Sequence, residues 1–411
     1  MEQISISNSE SYNQSTACWI DYAIVLLLIA ATGFEWCFSW VEMIFFGVFP
    51  LSVMLYIKRQ PQFKPSIIFF FLSFSIWSLC QNTIGQSSVS ALINLTIRML
   101  IYYFAVMCIV DFPKILVTII KWICIVSLVM YVLMLVPPLR DMARSIFHGV
   151  KPIAGLSDGL ISTNPGQSMI FYFLPKSFGV SNFRNSGPFW EPGMFAVFIN
   201  IALCLNIIKS RCINKTSYIF ILASISTLSS TSAITTISII SYYLLFIRKA
   251  KISSIIYLFM VGGAVIVFLE SDFGLAKIQH DISSKASYSR FGAIAYHMKL
   301  IQKYFWLGRG FNSYGNTLLT SPNGLTVVPL FWGIPVAICY YTLLYRGCKH
   351  LCKIYTNESN VKNTVVLFLT FLIVAFSQDV TTRHFYYAVV MYGLNYTSEI
   401  YNEEPSLEIN K

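Results

Sequence analysis

Residues Arg184 to Asn200 read RNSGPFWEPGMFAVFIN, and the rest of the chain is organised around this stretch. It ends a long polar segment and runs straight into an apolar helix. An arginine, a Gly-Pro break, an aromatic pair and a Glu-Pro therefore gather where water meets a nonpolar phase. Pro188 and Pro192 have no amide hydrogen to donate, and Pro192 suits the first turn of the helix that follows. Glu191 then stands at the positive end of that helix, where a carboxylate is favoured. Two roles are open to it: a helix cap, or a chemically active carboxylate.

Outward from that stretch, the composition fixes the phase. The chain has 411 residues, of which 56% are hydrophobic and 11% charged. A soluble domain carries about 25% charged residues. The chain reads as an all-α, polytopic integral membrane helix bundle. There is no Lys or Arg before Lys58, so the basic region of a cleaved signal peptide is missing. The ten cysteines are scattered, with one tight cluster, Cys348-Lys-His-Leu-Cys352. It lacks a convincing fourth ligand for a metal and reads as a basic loop at the membrane edge.

A spanning helix needs roughly 17–25 apolar residues. On that rule we expect about twelve spans, near 18–33, 38–57, 66–84, 91–110, 115–136, 191–208, 217–230, 232–247, 252–269, 325–345, 363–378 and 384–400. Residues 1–17 are polar and expected to be disordered, residues 18–400 to form one transmembrane domain, and 401–411 to be a tail. Two long polar segments, 137–190 and 270–324, interrupt the spans. Every short basic loop falls on one side of this count. The positive-inside rule puts that side and both termini in the cytoplasm, and both long segments outside.

The outside segments are basic as well, in a chain of net charge +11. The first carries Arg140, Arg144, Lys151, Lys176 and Arg184; the second carries Lys277, Lys285, Arg290, Lys299, Lys303 and Arg309. Arginines beside a membrane suit a phosphorylated, membrane-tethered ligand, because the planar guanidinium matches phosphate oxygens and stays charged. Anionic lipid headgroups would attract the same residues. From Ser287 to Phe305 the apolar residues recur at helical spacing, which predicts an amphipathic helix with Arg290 and His297 on one face. Gly308-Arg309-Gly310 ends it in a cationic turn. Arg98 stands inside the fourth span, roughly 10 Å deep at ~1.5 Å per residue. An intramembrane arginine marks a functional site or snorkels to the headgroups. Arg383-His384 opens the last span and faces the same side.

RNSGPFWEPGMFA followed by a helix resembles the R-x-x-G-x-F-x-E-P segment of bacterial O-antigen and capsule repeat-unit polymerases. Ser289-Arg290, the amphipathic stretch and Trp306-Leu-Gly308-Arg-Gly310-Phe-Asn312-Ser-Tyr314 resemble the signature of the O-antigen polymerase/ligase superfamily. Ligases of that superfamily usually carry a His-Asn pair before the next helix; here the residues are Ser321-Pro322-Asn323-Gly324. They often carry a Ser-Arg at an earlier helix end; here Ser229-Ser-Thr-Ser232 has no arginine. Both departures favour a polymerase over a ligase.

The resemblance implies a Wzy-like glycosyl transfer in the bacterial inner membrane. A glycan on undecaprenyl diphosphate passes to a sugar hydroxyl of an incoming lipid-linked unit. On this reading Arg290 and Arg309 stabilise the departing diphosphate, with Arg184 assisting and Arg98 or Arg383 in reserve. Glu191 is the base or orients the acceptor, unless it serves an ion pair with Arg184; His297 is the alternative base. Phe189, Trp190, Trp306, Phe311 and Tyr314 are candidates to stack on sugar. No cofactor or metal is called for, and no nucleic acid. The implied partners are the undecaprenyl-diphosphate-linked glycan, membrane lipids and a chain-length regulator protein. A ligase, or a transporter or flippase of lipid-linked sugar, is the competing expectation.

Overall fold

The computed structural model describes residues 17–34, 41–61, 65–83, 89–139, 184–249, 290–310 and 323–395, with isolated pieces between them. Apart from a hairpin of two two-residue strands, β1 (Ser168–Met169) and β2 (Tyr172–Phe173), the elements are helices. They are α1 (Trp19–Gly33), α2 (Val41–Met43), α3 (Phe49–Arg59), α4 (Ser66–Thr83), α5 (Val89–Cys108) and α6 (Phe112–Leu135). After the hairpin come α7 (Pro192–Ser210), α8 (Lys215–Ser226), α9 (Ser230–Tyr242), α10 (Arg290–Lys303), α11 (Gly324–Thr356), α12 (Val361–Ser377) and α13 (His384–Asn395). A π turn, Ile44–Val48, joins α2 to α3, and another, Tyr243–Ile247, extends α9.

Five helical runs are long and apolar enough to cross a bilayer: α5, α6, α7, Ser230–Ile247 and α11. Helices α1 and α12 and the Ile67–Asn82 part of α4 are apolar but shorter. The chain is a helical, membrane-embedded protein. The span expected at 252–269 lies almost wholly outside the described residues, as do residues 1–16, most of segment 137–190 and residues 396–411.

The interior is organised on α7. Its sequence is apolar on every face, so the stable place for it is the centre of the bundle. All but three of its 19 residues are buried. The amide at its middle, Asn200, is satisfied by side chains from α9: the amide group donates to Ser232 Oγ (3.0 Å) and its carbonyl accepts from Thr236 Oγ1 (2.8 Å). Inter-helix hydrogen bonds of this kind hold packed helices together where apolar burial discriminates little.

One expectation is corrected here. Helix α11 does not stop near 345 but runs on to Thr356, so Cys348 and Cys352 are helical rather than in a basic loop. They are four residues apart, share a face and are buried. A run of straight-chain and aromatic residues with no Gly-Pro break simply continues the helix past the bilayer edge.

Helix ends sort into two sets. At one end Asp21, Arg59 and the Cys108 carbonyl meet, and Arg211 pairs with Glu358. At the other, Phe34 bridges Phe189, the Trp190 amide donates to the Gly33 carbonyl (3.1 Å), and the Phe385 amide donates to Thr32 Oγ1 (2.8 Å). The loops expected on one side thus gather at one end, and Arg184–Glu191 and Arg383-His384 at the opposite end.

Candidate functional site

The 184–193 segment enters the bundle through its aromatic residue. Phe189 is fully buried and stacks on Phe195 and Phe198 at ring-centre distances of 5.2 and 5.1 Å. Aromatic packing of this kind fixes ring and backbone together. Phe189 is therefore an anchor, which corrects its reading as a platform for sugar. Trp306 remains 70% exposed, while Phe311 and Tyr314 lie outside the described residues.

Glu191 follows that anchor. It occupies the N-cap position of α7 with extended backbone (φ −150°, ψ 156°), Pro192 takes the first turn, and its carboxylate makes no capping hydrogen bond. The cap reading of the side chain is thereby corrected: the position is a cap, the carboxylate is directed elsewhere. Its direction is given by Gly193. A methyl group there would lie 2.2 Å from Gln378 Nε2 and 3.2 Å from Glu191 Oε1. The Glu191 carboxylate and the Gln378 amide thus converge on the space above a glycine that must lack a side chain. Arg184 sits further back. Its Nε donates to the Thr227 carbonyl (3.1 Å), where the last turn of α8 leaves carbonyls without helical partners.

Gln378 opens the loop 378–383 between α12 and α13, which is the hub of this end. Its carbonyl accepts from the Gly324 amide at the start of α11 (3.1 Å), and Thr381 Oγ1 donates to the Gly324 carbonyl (2.6 Å). Arg383 leaves the same loop. Its Nε donates to the Asp379 carbonyl (3.3 Å), and its guanidinium reaches the Asp379 carboxylate only at 3.9 Å.

Arg98 approaches the hub from α5. It lies beside the Tyr102 hydroxyl, and both Arg98 and Arg383 lie close enough to act electrostatically on His384. Tyr102 and His384 Nδ1 share a hydrogen bond of 2.5 Å. Tyr102 lies one turn deeper than Arg98, so the guanidinium folds inward to the protein instead of snorkelling outward. Among the described residues its Nε, though buried, has no partner.

The second motif is built differently. Helix α10 forms where the apolar spacing predicts it, beginning at Arg290, whose side chain lies outside the described residues. His297 is buried, with Nδ1 2.7 Å from Thr326 Oγ1 on α11. Burial away from water pushes its pKa down to about 4, so the ring is neutral and a poor proton acceptor near neutrality. That weighs against it as the base. After α10 the chain turns through Trp306-Leu-Gly308-Arg309-Gly310 and docks into a break in α11. Gly333 (φ 81°) interrupts that helix. The Arg309 amide donates to the Leu330 carbonyl (2.7 Å), the Gly310 amide to Phe331 (3.1 Å), and Gln81 of α4 donates to Phe331 (2.9 Å) and to the Leu307 carbonyl. A methyl on Gly308 would meet the Phe331 carbonyl oxygen at 2.4 Å. The glycines are thus required for backbone contact with a broken helix, and not by themselves for cradling a phosphate. The Arg309 backbone is fixed by this docking, while the half-buried side chain makes no hydrogen bond or ion pair with the described residues.

Of the expected residues, Glu191, Arg98 and Arg383 come together around loop 378–384. His297 joins that loop through Thr326 and Gly324, Arg309 sits on the next break of α11, and Arg184 is committed to the end of α8. Sequence reading missed Gln378, Asp379 and Tyr102. Tyr102 alone left a signal, lying one helical turn from an intramembrane arginine. It also missed Asp21, which Arg59 grips with two bonds at 2.5 and 2.7 Å. Comparison of the chain with protein-family models, with curated proteins and with solved structures gave no match.

Proposed function

We propose that the chain polymerises lipid-linked oligosaccharide repeat units by glycosyl transfer from undecaprenyl diphosphate, on the outer side of a bacterial inner membrane. The observation that carries this reading is the convergence of one carboxylate, Glu191, and two arginines, Arg98 and Arg383, around loop 378–384 at one end of the bundle. They arrive from three separate parts of the chain. The sequence resemblance supplies the reaction; the placement of these groups supports it.

In the proposed step the acceptor hydroxyl attacks the anomeric carbon of the donor sugar. The new carbon–oxygen bond forms as the bond to the diphosphate oxygen breaks, and the electron pair leaves with the diphosphate. The hydroxyl proton goes to the Glu191 carboxylate. Proton transfer to a placed base contributes about 10²–10⁴-fold in rate. Arg98 and Arg383 face the charge that develops on the leaving group, and fixed cations of that kind are worth a few kcal/mol each, about 3–4 for one well-placed donor. Arg290 and Arg309 serve the same anion from the second motif.

A broken spanning helix is also a feature of transporters. Here the carbonyls freed at the break, Leu330 and Phe331, are engaged by Arg309, Gly310 and Gln81 rather than left for a passing ion. That favours an enzyme over a flippase.

The test is the length distribution of surface polysaccharide in the host. Deleting the gene should leave single repeat units on their final acceptor. Glu191→Gln, Arg98→Ala and Arg290→Ala, with membrane insertion verified, should each abolish long chains. Full-length chains from Glu191→Gln would remove the proposed base, and full chains stranded on the carrier lipid in the deletion strain would point to a ligase instead.

A further inference from the structure

We infer that Gln378 is a positioning residue for the proposed reaction: its side-chain amide and the Glu191 carboxylate hold one hydroxyl of the acceptor between them. The inference rests on the proposed function and gives it a residue that no motif in the sequence marks. Both groups lie close to the point where a side chain at Gly193 would begin, Gln378 Nε2 at 2.2 Å and Glu191 Oε1 at 3.2 Å.

The amide itself is the first sign of a ligand. Gln378 is only 5% exposed, yet its side chain makes no hydrogen bond with the described residues. An amide withdrawn from water without a partner is destabilising, and such groups are rare in folded proteins. Its mount is rigid all the same. The Gln378 carbonyl accepts from the Gly324 amide (3.1 Å) and from the Val380 amide (2.9 Å). Further along the loop, Thr381 Oγ1 donates to the Gly324 carbonyl and the Tyr340 hydroxyl donates to the Thr381 carbonyl, both at 2.6 Å. A polar tip left unbonded on a fixed backbone is the arrangement of a group held ready for a ligand.

Gly193 gives an independent sign. It lies in the first turn of α7 and is not among the glycines with positive φ. Its backbone is open to any residue, and glycine weakens a helix. What glycine supplies here is room, because a side chain at 193 would displace the Gln378 amide.

The chemistry of the two groups selects what lies between them. A carboxylate only accepts hydrogen bonds, and an amide N–H only donates. A hydroxyl does both with one oxygen. A phosphate oxygen would be repelled by the carboxylate, and an ammonium would meet the amide N–H head on. The pair therefore fits a neutral hydroxyl compound. The hydroxyl proton points to Glu191, which takes it in the proposed step. The amide holds one lone pair of the oxygen, and the other stays free to form the new bond to the anomeric carbon.

The experiment is saturation-transfer NMR of the full-length protein in detergent. The probe is the repeat-unit oligosaccharide hydrolysed from the host's surface polysaccharide, free of lipid and phosphate. Wild type should bind it. Gln378→Leu keeps the bulk and removes the amide, and should weaken binding about tenfold, the size expected of one hydrogen bond. Gly193→Ala should weaken it as well by pushing the amide aside, and Gln378→Asn should keep part of it. Ile225→Trp, on the exposed face of α8, should change nothing. The unfolding midpoint of Gln378→Leu should stay level or rise, because the amide it removes ties no other group. No binding by wild type, or undiminished binding by Gln378→Leu, would overturn the assignment. So would a midpoint lowered by Gln378→Leu, since the amide would then be a structural tie. Binding is read without turnover, which separates this inference from the reaction. Long chains from Glu191→Gln together with Gln378-dependent binding would sink the reaction and leave the subsite standing. Lost chains from Glu191→Gln with normal binding by Gln378→Leu would do the reverse.

Discussion

At the end of the bundle that carries the short basic loops, Arg59 spans both oxygens of a fully buried Asp21 and donates as well to the Cys108 carbonyl, while Arg211 pairs with Glu358. At the opposite end Arg98 lies beside a phenol, Arg184 bonds a backbone carbonyl, and Arg383 reaches Asp379 at 3.9 Å. The first set is neutralised within the protein. The second, among the described residues, holds one long Arg383–Asp379 contact and a carboxylate that does not cap its own helix. A complete buried pair holds helices in place; cations gathered with a carboxylate where a ligand could enter are suited to another anion.

The sharpest way to break that comparison is to remove Asp21. Asp21→Ala leaves Arg59 buried without its counter-charge and should cost about 3–5 kcal/mol, read as a lowered unfolding midpoint in detergent. Arg98→Ala should lower the same midpoint by less than about 1 kcal/mol while abolishing long-chain product. Equal stability losses would erase the distinction between the two ends.

Next in size is the break of α11. Gly333→Ala places a methyl 2.2 Å from the Trp306 carbonyl oxygen at a residue with φ of 81°. The expected cost is about 2–3 kcal/mol, with shorter polysaccharide because the Arg309 turn loses its dock. Acid should act at a similar scale through His297. Its folded value near 4 lies below the ordinary 6.5, so the folded state resists protonation. The stability it contributes is complete above pH 6.5 and is lost as pH falls toward 4. At pH 5 the loss should be on the order of 2 kcal/mol. His297→Asn should flatten that part of the unfolding profile between pH 7 and pH 5.

Smaller still is Tyr102→Phe, which removes the hydroxyl bonded to His384 beside Arg98. Stability should fall by about 1–2 kcal/mol, and chain length should shorten because Arg98 loses the group that orients it. The smallest effect is expected at the neutralised end. Arg211 and Glu358 are both more than half exposed, so Glu358→Ala should shift the midpoint by no more than about 0.5 kcal/mol.

Much of the fold was legible because a bilayer leaves a chain few choices. Runs of apolar residues must become helices, since unpaired backbone groups cannot stay in hydrocarbon. So the ends of α1, α4, α5 and α6 fall within a few residues of expectation, and the amphipathic spacing after Ser289 gave α10. Where α11 stops was not legible, because hydrophobicity marks where a helix leaves the membrane and not where it ends. The site was legible only in part. Glu191 and Arg383 could be singled out by their place at helix starts. Gln378 and Asp21 could not, because nothing local distinguishes a polar residue that will meet a partner tens of residues away.

Composition and periodicity alone determined that this is a helical membrane protein with cations at its loop edges, since those properties depend on how each segment meets lipid or water. Tertiary structure alone decided which arginines are spent on internal acids and which are gathered beside Glu191. It also decided that the Gly308-Arg309-Gly310 turn closes a broken helix. Partnership between charges depends on distance in space, and in a bundle that distance is set by which helices pack side by side, a quantity no local stretch of residues encodes.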